Sequence, residues 1–160
     1  MDALVRSGAG ATTVVQVARE IEPVAVITGG SHGVGRAMAR ELAGRGYAVV
    51  VIYMEDQAAA EATVDEILGS DGTALAIRAD VTDELDVERL FRETNVAFGV
   101  ADLVVHASPG EGAVFAEHAA RQLARGGAFF ALRRSEPITP ALTELLAALD
   151  LLVGHPDQPE

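Results

Sequence analysis

The stretch that most constrains this chain runs from Val24 to Arg36: Val24-Ala25-Val26-Ile27-Thr28-Gly29-Gly30-Ser31-His32-Gly33-Val34-Gly35-Arg36. Four apolar residues suited to a strand run into a glycine-rich turn, and a helical pattern (Ala37, Met38, Leu42) follows at once. In that order, the backbone turns sharply at Gly29, and the free N–H groups of a helix start lie beside Gly33 and Gly35. Such a turn is shaped to approach an anion closely, a pyrophosphate above all. A second reading of the same glycines is steric: they only let the helix pack tightly on the strand.

The chain then repeats this alternation. Gly46 ends a first helix of about 34–45, and Ala48 to Tyr53 is an unbroken apolar run, as expected of a strand buried on both faces. A helix of about 57–68 follows, with Ala60, Val64, Ile67 and Leu68 expected inward, and then the turn cluster Gly69-Ser70-Asp71-Gly72. Thr73 to Ala79 reads as the third strand. Thr82 or Asp83 is placed to cap a helix of about 84–97 that carries Leu85, Leu90 and Phe91 as its apolar residues. Gly99 stops it, and Leu103 to His106 is the fourth strand. A helix of about 112–125, the pair Gly126-Gly127, a fifth strand from Ala128 to Leu132 and a last helix of about 140–150 complete the pattern. These spacings predict an α/β fold, a three-layer, doubly wound, Rossmann-like parallel sheet of about five strands in the order 3-2-1-4-5. The ligand is then expected at the carboxyl edge, where strand 1 meets strand 4.

A length of 160 residues suits one domain spanning 1–160, with 1–12 and 154–160 expected flexible. Thr13 to Glu22 is an extra amphipathic helix (Val14, Val17, Ala18 and Ile21 on one face) that Pro23 breaks. It either patches the sheet edge or makes an oligomer contact. The last helix also presents an apolar face (Leu142, Leu145, Leu146, Leu149) that needs cover, so a homodimer is one expectation. The formal charge of -12 argues against nucleic acid as a partner, because phosphate binding needs a basic surface. With no cysteine, neither disulfide nor thiol chemistry enters. No signal-peptide layout or membrane-length apolar run is seen, so the expected setting is the cytoplasm, with no membrane partner.

The spacing Thr28-Gly29-x-x-x-Gly33-x-Gly35 resembles the cofactor motif of the short-chain dehydrogenase/reductase family, and the likeness continues through Asp80-Val81 and fades near residue 106. The resemblance implies a dinucleotide cofactor, NAD or NADP, held by Thr28, Gly29, Ser31, His32, Gly33, Val34, Gly35, Tyr53, Asp80, Val81 and Ala107. Asp80 would meet the adenine amine with Val81 against the ring; its alternative role is to cap the turn after the third strand. Tyr53 falls at the family's discriminating position, followed by Met54, Glu55 and Asp56. An acid there favours the free ribose hydroxyl of NAD and repels the 2′-phosphate of NADP, which gives a lean to NAD. His32 sits where a base helps bind that phosphate in the family, and the two carboxylates also read as a solvated helix entry.

The catalytic half of the family pattern is missing. The resemblance implies a tyrosine exchanging a proton with a carbonyl or alcohol oxygen, a lysine four residues later lowering its pKa, a serine orienting substrate and an asparagine holding a relay water. All twelve basic residues here are arginine; the tyrosines are Tyr47 and Tyr53, and the one asparagine is Asn95, in a helix. Where the family's fourth strand ends in Asn-Asn-Ala-Gly, this chain reads His106-Ala107-Ser108-Pro109, with room for only one helix before Gly127. Aligned on Gly126-Gly127, the serine position holds Arg134 beside Ser135, and the tyrosine and lysine positions hold Ala147 and Leu151. His106 is the one candidate replacement acid, since imidazole titrates near neutral pH; a hydrogen-bonded structural histidine is the plainer reading. His118 reads as a surface residue, Arg133-Arg134 as an anion contact or a solvated strand end, and no metal-ligand spacing stands out. Three functions follow. One is a dinucleotide binder without catalysis, whether cofactor holder, sensor or accessory subunit. The second is an unorthodox oxidoreductase using His106 or a partner's residues. The third is an interaction protein with an empty nucleotide site.

Overall fold

The computed structural model describes residues 22–107, 113–124, 126–131, 140 and 143–148. Five strands, β1 (Val24–Thr28), β2 (Ala48–Tyr53), β3 (Thr73–Arg78), β4 (Leu103–His106) and β5 (Ala128–Ala131), form one sheet in the order β3-β2-β1-β4-β5. All four pairings are parallel, with Thr28 opposite both Ile52 and His106 at the carboxyl edge. Four helices make the crossovers: α1 (Gly33–Gly44), α2 (Gln57–Gly69), α3 (Glu84–Ala97) and α4 (Ala113–Gln122). Fold class and strand order are as the sequence predicts.

Side chains of the central strands alternate between two cores, because successive residues of a strand point to opposite faces. Ala25, Ile27, Val49, Val51, Leu103 and Val105 meet Met38, Ala39 and Leu42 of α1 and Ala60 and Ile67 of α2. Val26, Val50, Ile52 and Val104 meet Val87, Leu90 and Phe91 of α3 and Phe115 and Ala119 of α4. With both faces covered, the strands are apolar throughout, the usual condition of a parallel sheet.

The helical stretch at 143–148 completes the first core. Leu145 is fully buried there and Leu146 packs against it. Part of the apolar face left open in the sequence reading is thus covered within the chain. Residues 13–21 of the expected N-terminal helix, both ends expected to be flexible, Leu132, Leu142 and Leu149 lie outside the described residues.

Three side chains differ from expectation. Leu68 is 50% and Leu85 74% exposed. The inward face of α2 is Ala60, Thr63 and Ile67, and that of α3 is Val87, Leu90, Phe91 and Thr94, at three- and four-residue steps. Leu68 and Leu85 fall off those stripes by one and two residues. His118, expected on the surface, is buried at 6% exposure, because α4 turns that side toward α3. Asp83 rather than Thr82 caps α3, its Oδ1 accepting from the N–H groups of Leu85 at 2.9 Å and Asp86 at 3.4 Å.

Candidate functional site at the carboxyl edge

The glycine turn leaves β1 directly. Gly29 (φ 67°) and Gly33 (φ 53°) occupy the left-handed region that side chains disfavour. Gly35 is required for a different reason: a Cβ on it would stand 2.1 Å from the Gly29 carbonyl oxygen and 2.6 Å from its carbon. The first turn of α1 is therefore pressed against the backbone of the loop. His32 takes the N-cap position in extended conformation, and its side chain makes no capping bond. A Cβ on Gly33 would meet nothing within 4 Å, so the space before the helix start is open.

A groove of about 380 Å³ continues from this turn across the ends of β2 and β3. Gly29 and Ser31 line it on one side, Tyr53, Glu55 and Asp56 at the end of β2, and Asp80 and Val81 after β3. Asp80 is held in place: its Oδ1 accepts from the Thr82 hydroxyl at 2.6 Å and the Thr82 N–H at 2.9 Å, and its own N–H donates to Asp86 Oδ2 at 2.9 Å. The Thr82 bonds hold its carboxyl below the usual range, so it is ionised at neutral pH. Asp56 caps α2 through the Ala59 N–H at 3.0 Å and approaches His32 Nε2 at 3.1 Å. Arg36, the base nearest the turn in sequence, is paired with Glu66 on α2, which also meets Arg40 at 3.3 Å. Arg78 is the base that sequence distance hid: it is exposed and opposite Tyr53 in the sheet register.

Thr28 and His106 lie inward of this edge. Thr28 is fully buried, with its hydroxyl 2.7 Å from His106 Nδ1. The same oxygen accepts the Ala107 N–H at 3.1 Å, and the Thr28 carbonyl accepts it at 3.2 Å. The His106 ring lies among aromatic rings, 5.1 Å from Phe115 and 6.4 Å from Phe129 between centroids. It is 7% exposed, and its Nε2 is buried without a partner. Burial pushes its pKa down, so it is neutral at neutral pH. Register explains the placement: Val104 and His106 share the face that α3 and α4 cover.

The structure thus brings Thr28, Gly29, Ser31, His32, Gly33, Val34 and Gly35 to one turn, with Tyr53, Asp80 and Val81 along the adjoining groove and Ala107 at the neighbouring strand end. Of the two tyrosines, Tyr53 lines the groove, whereas Tyr47 precedes β2 at the opposite edge of the sheet, where burial raises its pKa. Ala147 is exposed on the 143–148 stretch; Ser108, Arg133, Arg134, Ser135 and Leu151 lie outside the described residues.

Comparison with known proteins agrees with this geometry. Residues 23–125 match the short chain dehydrogenase family. Among curated relatives, the chain is 45% identical over 82 residues to the hydroxynaphthalene reductase-like protein Arp2 of Metarhizium guizhouense, covering 51% of this chain and 31% of that protein. It is 40% identical over 83 residues to a 3-oxoacyl-(acyl-carrier-protein) reductase of Synechocystis, covering 52% of this chain and 34% of that one. This chain therefore spans about a third of these relatives' length. Among solved structures, a dehydrogenase/reductase from Sinorhizobium meliloti superposes with a TM-score of 0.60 at 29% identity, over 79% of this chain and 63% of that one. A short chain dehydrogenase from Burkholderia cenocepacia, crystallised in complex with NADP, gives 0.60 at 26% identity, over 81% and 65%. With a sequence match over more than half its residues and the same sheet, this chain belongs to the short-chain dehydrogenase family.

Proposed function

We propose that this chain binds a nicotinamide dinucleotide along the carboxyl edge of β1, β2 and β3, prefers NAD to NADP, and lacks the family's own proton-transfer apparatus. The observation that carries the reading is the contact of Gly35 with Gly29, which no side chain could share, beside the open space at Gly33. Gly29, Ser31, His32, Gly33, Val34 and Gly35 would hold the diphosphate on backbone N–H groups at the start of α1. Tyr53 and Asp56 would face the adenosine ribose, Asp80 and Val81 the adenine, and Thr28 and Ala107 would fix the strand ends beside it. The groove fits such a ligand: it is continuous from the turn to Asp80 and lined by carboxylates where the ribose would lie. Those carboxylates would repel a 2′-phosphate, and Arg78 stands outside the lining.

When bound, the nicotinamide would supply or accept a hydride. Proton exchange with a carbonyl requires an acid at the substrate, and a phenol titrates at about 10 unless a positive neighbour lowers it. Neither tyrosine has a lysine to do so, since the chain contains none. His106 Nε2 is enclosed by the protein, which argues against its donating to a substrate. A dinucleotide holder or accessory subunit fits these residues best.

Titrating the purified chain with NADH and with NADPH, following nucleotide fluorescence, tests the binding. A saturable change, several-fold tighter for NADH and abolished in Gly33→Asp, is expected. No saturation with either nucleotide would leave the interaction-protein reading. Turnover of a carbonyl panel that is lost in His106→Ala would overturn the non-catalytic reading.

A further inference from the structure

Outside the groove, one group of side chains converges without a role in the reading above. Glu84 and Glu88 lie one turn apart on α3, so both point from the same side of the helix. Across from them α4 supplies His118. One ligand atom from each of the three residues lies within 4.8 Å of the other two.

His118 distinguishes this group from an ordinary solvated acidic face. It is 6% exposed, held in the contact between α3 and α4, and its Nε2 is 3.2 Å from Glu84 Oε1. Among the described residues it has no hydrogen-bond partner outside the group. A buried imidazole is thus aimed at two exposed carboxylates, with a rigid nitrogen donor below and two adjustable oxygen donors above. Donors on one Zn²⁺ sit about 2.0–2.2 Å from the ion. Three such donors are then about 3–4 Å from one another, within a small side-chain movement of the spacing seen here. Further carboxylates stand close by, the N-cap Asp83 and, in the first turn of α3, Asp86, which is paired with Arg89, and the chain carries a net charge of -12.

The geometry points to a divalent metal site formed by Glu84, Glu88 and His118, which would staple α3 to α4. Mixed imidazole and carboxylate donors suit a borderline ion such as Zn²⁺ rather than Ca²⁺ or Mg²⁺, which take oxygen alone. Neutral imidazole and ionised carboxylates are the ligating forms, and a bound ion would take the place of the Glu84–His118 contact.

The test uses the full chain, stripped of metal with a chelator and titrated with ZnCl₂ by calorimetry, with thermal melts alongside. One ion per chain at micromolar affinity and a melting temperature raised by several degrees are expected, with CaCl₂ giving neither. Glu88 is exposed, so Glu88→Gln should leave the metal-free melt unchanged while weakening zinc binding at least tenfold. His118→Gln should abolish it, whereas His32→Gln, at the solvent-exposed contact with Asp56, should not. Affinity unchanged in Glu88→Gln, or retained in His118→Gln, would overturn the site and leave a histidine–glutamate pair alone. Failure of zinc to raise the melting temperature of the native chain would also overturn it.

Discussion

Gly35 shows how one residue's missing side chain decides a site. Its Cα is close enough to Gly29 that the turn cannot hold its shape once a methyl is added. Gly35→Ala should lower stability by about 1–3 kcal/mol, the usual cost of overpacking, and remove any nucleotide-induced signal. Gly44→Ala is the matched control: it closes α1 with nothing within 4 Å of the added methyl, and helix propensity makes it neutral or stabilising. Urea melts of both variants check this, and a Gly35→Ala chain as stable as its parent would contradict the packing argument. The motif spacing identified Gly35, but the distance to Gly29 gives the reason. Asp80 is similar: sequence left it between capping a turn and contacting a ligand, and its Oδ1 bonds to Thr82 secure the turn while the residue still lines the groove.

At the scale of elements, the Thr28–His106 contact ties the end of β4 to the end of β1, just before the glycine turn. His106 is neutral in the fold because protonating it would place a charge between Phe115 and Phe129. Its folded pKa lies below the ordinary 6.5, so between the two values the unfolded chain binds more protons than the folded one. Stability from this residue is therefore complete above about pH 6.5 and declines as pH falls toward the folded value. Asp80 and Asp86, with lowered pKa values, lose their contributions in a separate and more acidic window as pH falls below 3.8. Urea melts from pH 5 to 8 should show the first decline, and His106→Asn should flatten it. An equal slope in that variant would place the titration elsewhere.

For the whole molecule, the two cores depend on different parts of the chain. The α3 and α4 side is closed by α3, α4 and Phe129, whereas the α1 and α2 side also needs Leu145 from the far C-terminal stretch. Leu145→Ala leaves a cavity against that core and should cost about 2–5 kcal/mol, seen as a lower urea midpoint with an unchanged slope. A loss under about 0.5 kcal/mol, the range of surface substitutions, would mean that the stretch does not close this core. This placement also bears on assembly, since a helix face satisfied within the chain offers less apolar surface to a second copy. Among the described residues no helix is long and apolar enough to cross a membrane.

Local order was legible from the sequence because it rests on short-range physics. The steric freedom of glycine, the apolar runs of strands buried on both faces, and the caps and stops of helices marked each described element to within about one turn, and alternation implied the parallel sheet. The missing lysine is likewise a property of composition alone. Tertiary structure decided what depends on contact between distant segments. It set Arg78 beside Tyr53, took Arg36 to Glu66, closed His106 under α4, and turned His118 toward Glu84 and Glu88. None of these has a local signal, because a side chain's partner is set by sheet register and helix rotation, which the whole chain's packing fixes together.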